Sequence, residues 1–201
     1  MLVLQDDGVE QYRNSEIGSL VKILIFQFKH NSEEIKYLQE KFGGPVSRQK
    51  IEEVFPEYYE RAIISTVFAG MVLEALLYDY ALEIKSKTFA DKVSREMLEC
   101  ELKSIYKEVV SDDTQEIIDL CDKLKEFRHA RKYYVHNKSM DLIKNPKEKL
   151  NLFNCYSSLK MVYEVAVKIS LWSPKYDMAK VLCYFLQEAV ESTRGYRIEL
   201  K

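Results

Sequence analysis

RAIISTVFAGMVLEALLYDYALEI, residues 61–84, decides the fold. It contains no proline, and its only charged residues are Arg61, Glu74, Asp79 and Glu83. The rest is apolar on nearly every face of a helix, which places such a segment at the middle of a bundle, covered by neighbours all round. Its longest uncharged run, AIISTVFAGMVL (62–73), is too short to span a bilayer, and Glu74 and Asp79 interrupt its continuation. Gly70 sits inside the helix at a cost of roughly 1 kcal/mol relative to alanine, so another helix is expected to approach closely there.

The chain reads as helical on both sides of this segment. Upstream, residues 15–29 and 32–42 form one broken helix or two short ones. Asn31-Ser-Glu-Glu34 between them has the spacing of a capping box. FGGPVS (42–47) is a turn, a short helix comes next over 47–55, and Pro56 belongs to the first turn of the long helix, about 57–87. Downstream, a helix is expected over about 95–110. Asp113-Thr-Gln-Glu116 opens the next, which runs to about 137. Asn145-Pro146 opens another, with a stripe of Leu152, Tyr156, Leu159, Tyr163 and Val167; Ser173-Pro174 starts the last, about 174–192. The tail STRGYRIELK is polar, an arm or frayed end. No repeat, low-complexity tract or linker divides the chain, so 1–201 reads as one all-α domain, a bundle of about five long helices plus short ones.

Composition narrows the function classes. Charged residues make up 31% but the net charge is only −2, which excludes a globally basic nucleic-acid binder and leaves room for a local patch. The four cysteines, Cys100, Cys121, Cys155 and Cys183, form no C-x-x-C pair and lie in apolar helical patterns, as reduced core thiols do. The N-terminus turns acidic after four residues and does not resemble a signal peptide. A soluble, cytoplasmic protein is expected. The histidines, at 30, 129 and 136, give neither H-x-x-x-H nor H-E-x-x-H. No P-loop, G-x-G-x-x-G or G-x-S-x-G occurs, so neither metal nor cofactor is expected.

One helix carries a candidate site. Over 113–137 the apolar stripe is Ile117, Leu120, Leu124 and Phe127, then Tyr134 and Val135. At about 100° per residue Arg131 falls within that stripe, and Arg128 lies close by. A buried charge without a counter-charge costs several kcal/mol, so these arginines require a partner, a cavity or an interface. The plainer alternative is a solvated basic helix end, with arginine stems lying along the stripe and cationic heads complementing the helix dipole. His136, five positions after Arg131, is about 140° away on a straight helix, so the two converge only if the helix ends there or a second copy completes the site. His129 is assigned to the surface and His30 to a structural place at a helix end. Residues 122–138 hold six Lys/Arg and two acids, about +4, with Tyr133 and Tyr134 among them; aromatic faces can stack bases, and Tyr134 borders the core.

RKYYVH (131–136) near the end of this helix, and the acid embedded in AGMVLEALLYDYAL (69–82), together resemble the HEPN superfamily and its R-x4–6-H motif. The resemblance covers about 57–170, with the flanking helices as elaborations. It implies a metal-independent endoribonuclease with no cofactor, acting in a toxin–antitoxin, phage-defence or stress setting. The site would lie at the two-fold interface of a homodimer. It also implies Arg131 and His136 as the catalytic pair, with Arg128, Lys132, Tyr133 and Asn137 toward the substrate and Glu74 supporting an arginine. The implied partners are RNA and a second copy, with an antitoxin or nucleotidyltransferase-like protein beside them, and no membrane. Active members commonly carry a small polar residue after the arginine, where this chain has Lys132. The alternative is therefore a non-catalytic HEPN-like module that binds RNA, a nucleotide or a protein; a helical scaffold whose dimer uses this stripe is a third reading.

Overall fold

The computed structural model describes residues 2–6, 9–13, 16–110, 114–135 and 154–191. Eight helices lie among them: α1 Ile17–Phe42, α2 Arg48–Val54, α3 Tyr58–Ile84, α4 Lys87–Val93, α5 Leu98–Val109, α6 Gln115–Val135, α7 Cys155–Trp172 and α8 Asp177–Glu191. They form an all-α bundle, preceded by a hairpin of β1 Leu2–Asp6 and β2 Val9–Arg13. The hairpin is antiparallel, in register from Leu2 opposite Arg13 to Asp6 opposite Val9.

The central helix is α3. It touches α1, α2, α4, α5, α6 and α7. Ala69, Val72, Leu73, Leu76, Leu77, Tyr80 and Ala81 on it are fully buried. Burial of each large side chain contributes about 1.5–3 kcal/mol, which is why so apolar a segment settles at the centre. Among the described residues α3 is also the one helix long and apolar enough to cross a membrane by length and composition, and half of that stretch is buried inside the bundle. A smaller core of Ile35, Leu38, Val46, Ile51 and Tyr58 closes under the turn between α1 and α2. That turn releases α1 through Gly43 at φ 72°, in the left-handed region that glycine tolerates best.

Several expectations about the elements are corrected. No break occurs at Asn31: α1 runs through it, and Asn31 and Glu34 are both buried. Their spacing suits a capping box, but it equally puts two side chains on one face of a continuous helix. His30 accordingly sits mid-helix and exposed, stacked on Phe26 at 6.0 Å between ring centres. The short α4 is an addition to the expected elements; the Ser86 hydroxyl caps it by accepting from the Phe89 N–H at 3.2 Å. The start at Asn145-Pro146 lies outside the described residues, as do Asp113 and Leu152. The described helix α7 begins with its own capping box, Asn154 and Ser157. Its buried face is Cys155, Ser158, Leu159, Val162, Val165, Ala166 and Ile169; of the expected stripe only Leu159 is fully buried, and Tyr156 is exposed. The last helix starts at Asp177, because Ser173 closes α7 with its N–H bonded to Ile169 O and Pro174 falls in the turn after it.

Candidate functional site

Helix α6 buries Ile117, Leu120, Leu124 and Phe127 in a line, and Arg131 continues that line four residues on. It lies against Gly70 of α3. A Cβ built on Gly70 would stand 2.5 Å from Arg131 Cδ, 2.6 Å from Nε and 2.8 Å from Cζ. The glycine is thus a notch that admits the arginine stem. One helical turn further along α3, Glu74 takes the guanidinium in a two-pronged bond, Nη1 to Oε1 and Nη2 to Oε2, the latter at 3.2 Å. Such paired bonds fix the plane of the fork as well as its place. Arg131 keeps 24% of its side chain exposed and Glu74 53%, so the pair stands where the seam between α3 and α6 opens to solvent.

Arg128, one turn back, is held in the same fashion. Its Nε donates to both oxygens of Glu99 on α5, at 2.9 and 3.2 Å, and Nη2 donates to Oε1 at 2.8 Å. Burial pushes the Glu99 carboxyl up, but the hydrogen bonds and charge of Arg128 outweigh it and hold the carboxyl below its usual range. The Glu99 hydrogen bond in turn raises Arg128. Two residues further, Glu101 is 3% exposed, and its Oε1 has no hydrogen-bond partner among the described residues. Burial, with the charges of Glu74 and Glu96 added, pushes Glu101 up to about 8.

The other expected site residues are more scattered. Lys132 is exposed, and so is His129, which the sequence places on the surface and not in the site. Tyr133 and Tyr134 are half-buried, their rings edge to face at 6.3 Å, and the Tyr133 hydroxyl is buried without a hydrogen-bond partner among the described residues. His136 and Asn137 lie outside the described residues. Glu74 also borders an open cleft of about 460 Å³, lined by residues that include Glu16 and Asp79. Those acids make the cleft unfavourable for an anionic ligand.

A second polar seam, between α1, α3 and α7, has no counterpart among the sequence expectations. Arg61 donates from Nη2 to Glu34, from Nε to Asn31 Oδ1 at 2.7 Å and from Nη1 to Glu57 at 3.4 Å. Asn31 Nδ2 and Ser65 Oγ donate to the Cys155 sulfur at 2.9 and 3.0 Å, and Thr66 shares a 3.0 Å hydrogen bond with Ser158. Burial pushes the Cys155 thiol up to about 12, which keeps it protonated and unreactive at neutral pH. Arg61 at the edge of an apolar helix was the available signal, equivalent to the one that singled out Arg131. Among the described residues no group of three or more His, Cys, Asp or Glu is placed to hold a metal ion. Compared with known proteins, the chain matches no family model, no curated protein and no solved structure.

Proposed function

We propose that this protein is a HEPN-like endoribonuclease that cleaves RNA without a metal, in the cytoplasm and as a homodimer. The observation that carries the reading is the placement of Arg131. It is seated in the Gly70 notch, fixed by Glu74 and directed to the solvent end of the seam, five residues before His136.

In this reading the substrate 2′-oxygen attacks the adjacent phosphorus, the 5′-oxygen leaves, and a 2′,3′-cyclic phosphate forms. Neither the attack nor the departure needs a metal if one group takes a proton and another gives one. Histidine can serve in either role near neutral pH, and His136 is assigned to it. Arg131 supplies a permanent charge to the non-bridging oxygens. Glu74 occupies one proton on each terminal nitrogen and Nε sits in the Gly70 notch, so the second proton on each terminal nitrogen is the one assigned to phosphate. Arg128, Lys132, Tyr133 and Asn137 are assigned to the strand itself. A second copy would bring another Arg131 and His136 to the same cleft. An antitoxin or nucleotidyltransferase-like partner in a toxin–antitoxin, phage-defence or stress setting belongs to the same proposal.

The alternative, a non-catalytic module that binds RNA, a nucleotide or a protein, is favoured by Lys132 and by the pairing of both arginines with carboxylates. Purified protein incubated with RNA in EDTA separates the two. Cleavage should leave cyclic phosphate ends, and His136→Ala should slow it by about 10²–10⁴-fold. Salt-sensitive binding without turnover would instead establish the alternative.

A further inference from the structure

The outward face of α1 sets exposed aromatic rings among lysines. Phe26, Tyr37 and Phe42 are 64%, 51% and 53% exposed, opposite the buried line that runs from Ile17 to Leu38. At the end of the helix the arrangement is compact. The Lys41 ammonium lies 5.6 Å from the centre of the Tyr37 ring and 5.8 Å from that of Phe42. Lys50 of α2 lies 5.8 Å from the Phe42 ring centre. Phe55, packed on the small core under the turn, meets Tyr37 edge to face at 6.2 Å and braces its ring. Three turns back along α1, Phe26 stacks on His30 with 19° between the ring planes, and Lys22 and Lys29 are exposed within a turn of it. Lys36 pairs with Glu40 and Lys50 with Glu53, but Lys22, Lys29 and Lys41 have no ion pair among the described residues. From Lys22 to Phe42 the exposed charges are four lysines against Glu33 and Glu40, a positive face on a chain whose net charge is −2.

We infer that this face binds single-stranded RNA, with bases stacked on Tyr37, Phe42 and Phe26 and phosphates drawn to Lys41, Lys22 and Lys29. Every base has a flat apolar face, so stacking requires rings held open to solvent, and the strand's backbone requires cations near each ring. Both requirements are met at two stations about 16 Å apart along α1. Lys41 stands on a flexible four-carbon stem. A phosphate beside Tyr37 or Phe42 draws its ammonium off the ring and leaves the ring face to a base. Glu33 and Glu40 interrupt the face, which suits a strand that touches it at separate points. A flat anionic membrane would lie across both acids. The Tyr37 end of α1 shares its small core with Tyr58, about 18 Å along α3 from the Gly70 seat of Arg131. The face is thus a holding site remote from the arginine. The choice of RNA as the strand rests on the ribonuclease reading; the stacking and cationic chemistry does not.

The test is fluorescence anisotropy of the full chain with a labelled single-stranded 2′-O-methyl oligoribonucleotide, whose blocked 2′-oxygen cannot attack phosphorus. The parent should bind it, with the logarithm of affinity falling linearly against that of salt concentration. Tyr37→Ala and Phe42→Ala should each weaken binding by about fivefold or more. Lys41→Gln should make the salt slope shallower by about 0.7. These side chains stand at the surface, so the variants should melt close to the parent. Should Tyr37→Ala fail to fold, Phe42→Ala and Lys41→Gln decide. A parent that binds no strand, or variants that bind as the parent does, overturn the proposal. So do phosphatidylserine vesicles that the parent binds more tightly than the strand and that the same variants release, which would make the face a membrane surface. Cleavage of unmodified RNA is measured beside binding. Strand binding that needs Tyr37, Phe42 and Lys41 in a chain that cleaves nothing upholds this face and counts against the ribonuclease reading. Cleavage lost in Arg131→Ala, with strand binding unchanged in Tyr37→Ala and Phe42→Ala, overturns this face and leaves that reading standing.

Discussion

Gly70 and Arg131 are one feature contributed by two helices. A side chain at position 70 would occupy the space of the arginine stem. Gly70→Ala therefore gains about 1 kcal/mol of helix propensity and loses the seat of Arg131, a flexible side chain that can move aside. The expected outcome is a folded protein within about 1 kcal/mol of the parent whose RNA activity falls as in Arg131→Ala. A melting curve beside an RNA assay checks it, and unchanged activity would mean that the notch does not matter. The Arg61 seam behaves oppositely. Arg61 is 9% exposed, and its removal strands Glu34, so Arg61→Ala should cost about 3–5 kcal/mol in urea unfolding. Arg131 could be singled out in the sequence because helical periodicity alone puts it on a stripe. Glu99 and Glu101 could not, because the contact from Glu99 to Arg128 crosses 29 positions and no local pattern encodes it.

At the scale of elements, α1 shows how one spacing can serve two structures. Asn31 and Glu34 have capping-box chemistry, yet the burial of their shared face against Arg61 prevails over a helix break. A cycle of Asn31→Ala, Arg61→Ala and the double variant should give a coupling energy of about 0.5–3 kcal/mol. A cap at a helix break would give none. The apolar centre of α3, the FGGP turn and the approximate limits of α2, α5 and α6 were legible, since hydrophobic periodicity, Gly and Pro encode them locally. The buried face of α7 was not, because it meets α3 on one side and α8 on the other, and both partners are distant in sequence. The hairpin also escaped, although Asp7-Gly8 between its strands is a pairing that tight turns favour. Leu124 anchors α6 beneath the arginines at 0% exposure; Leu124→Ala should cost about 2–5 kcal/mol and loosen both pairs.

For the whole molecule, the two acids of α5 give opposite pH limbs. Glu99 lies below its unfolded value, so its stabilisation is present above about 4.5 and is lost as the pH falls through its folded value. Glu101 lies above its unfolded value of 4.5, so its contribution is complete below that value and is lost progressively up to about 8. Glu101→Gln should therefore unfold at a higher temperature than the parent above pH 8 and differ little near pH 4.5, which scanning calorimetry across that range checks. These limbs concern the fold. The function is tested most directly by incubating the purified protein with RNA in EDTA, beside Arg131→Ala and His136→Ala, and analysing the product ends. Metal-independent cleavage to 2′,3′-cyclic phosphate, slowed about 10²-fold or more in both variants, is the expected result. Absence of cleavage by the parent, or His136→Ala cutting as fast as the parent, would contradict it.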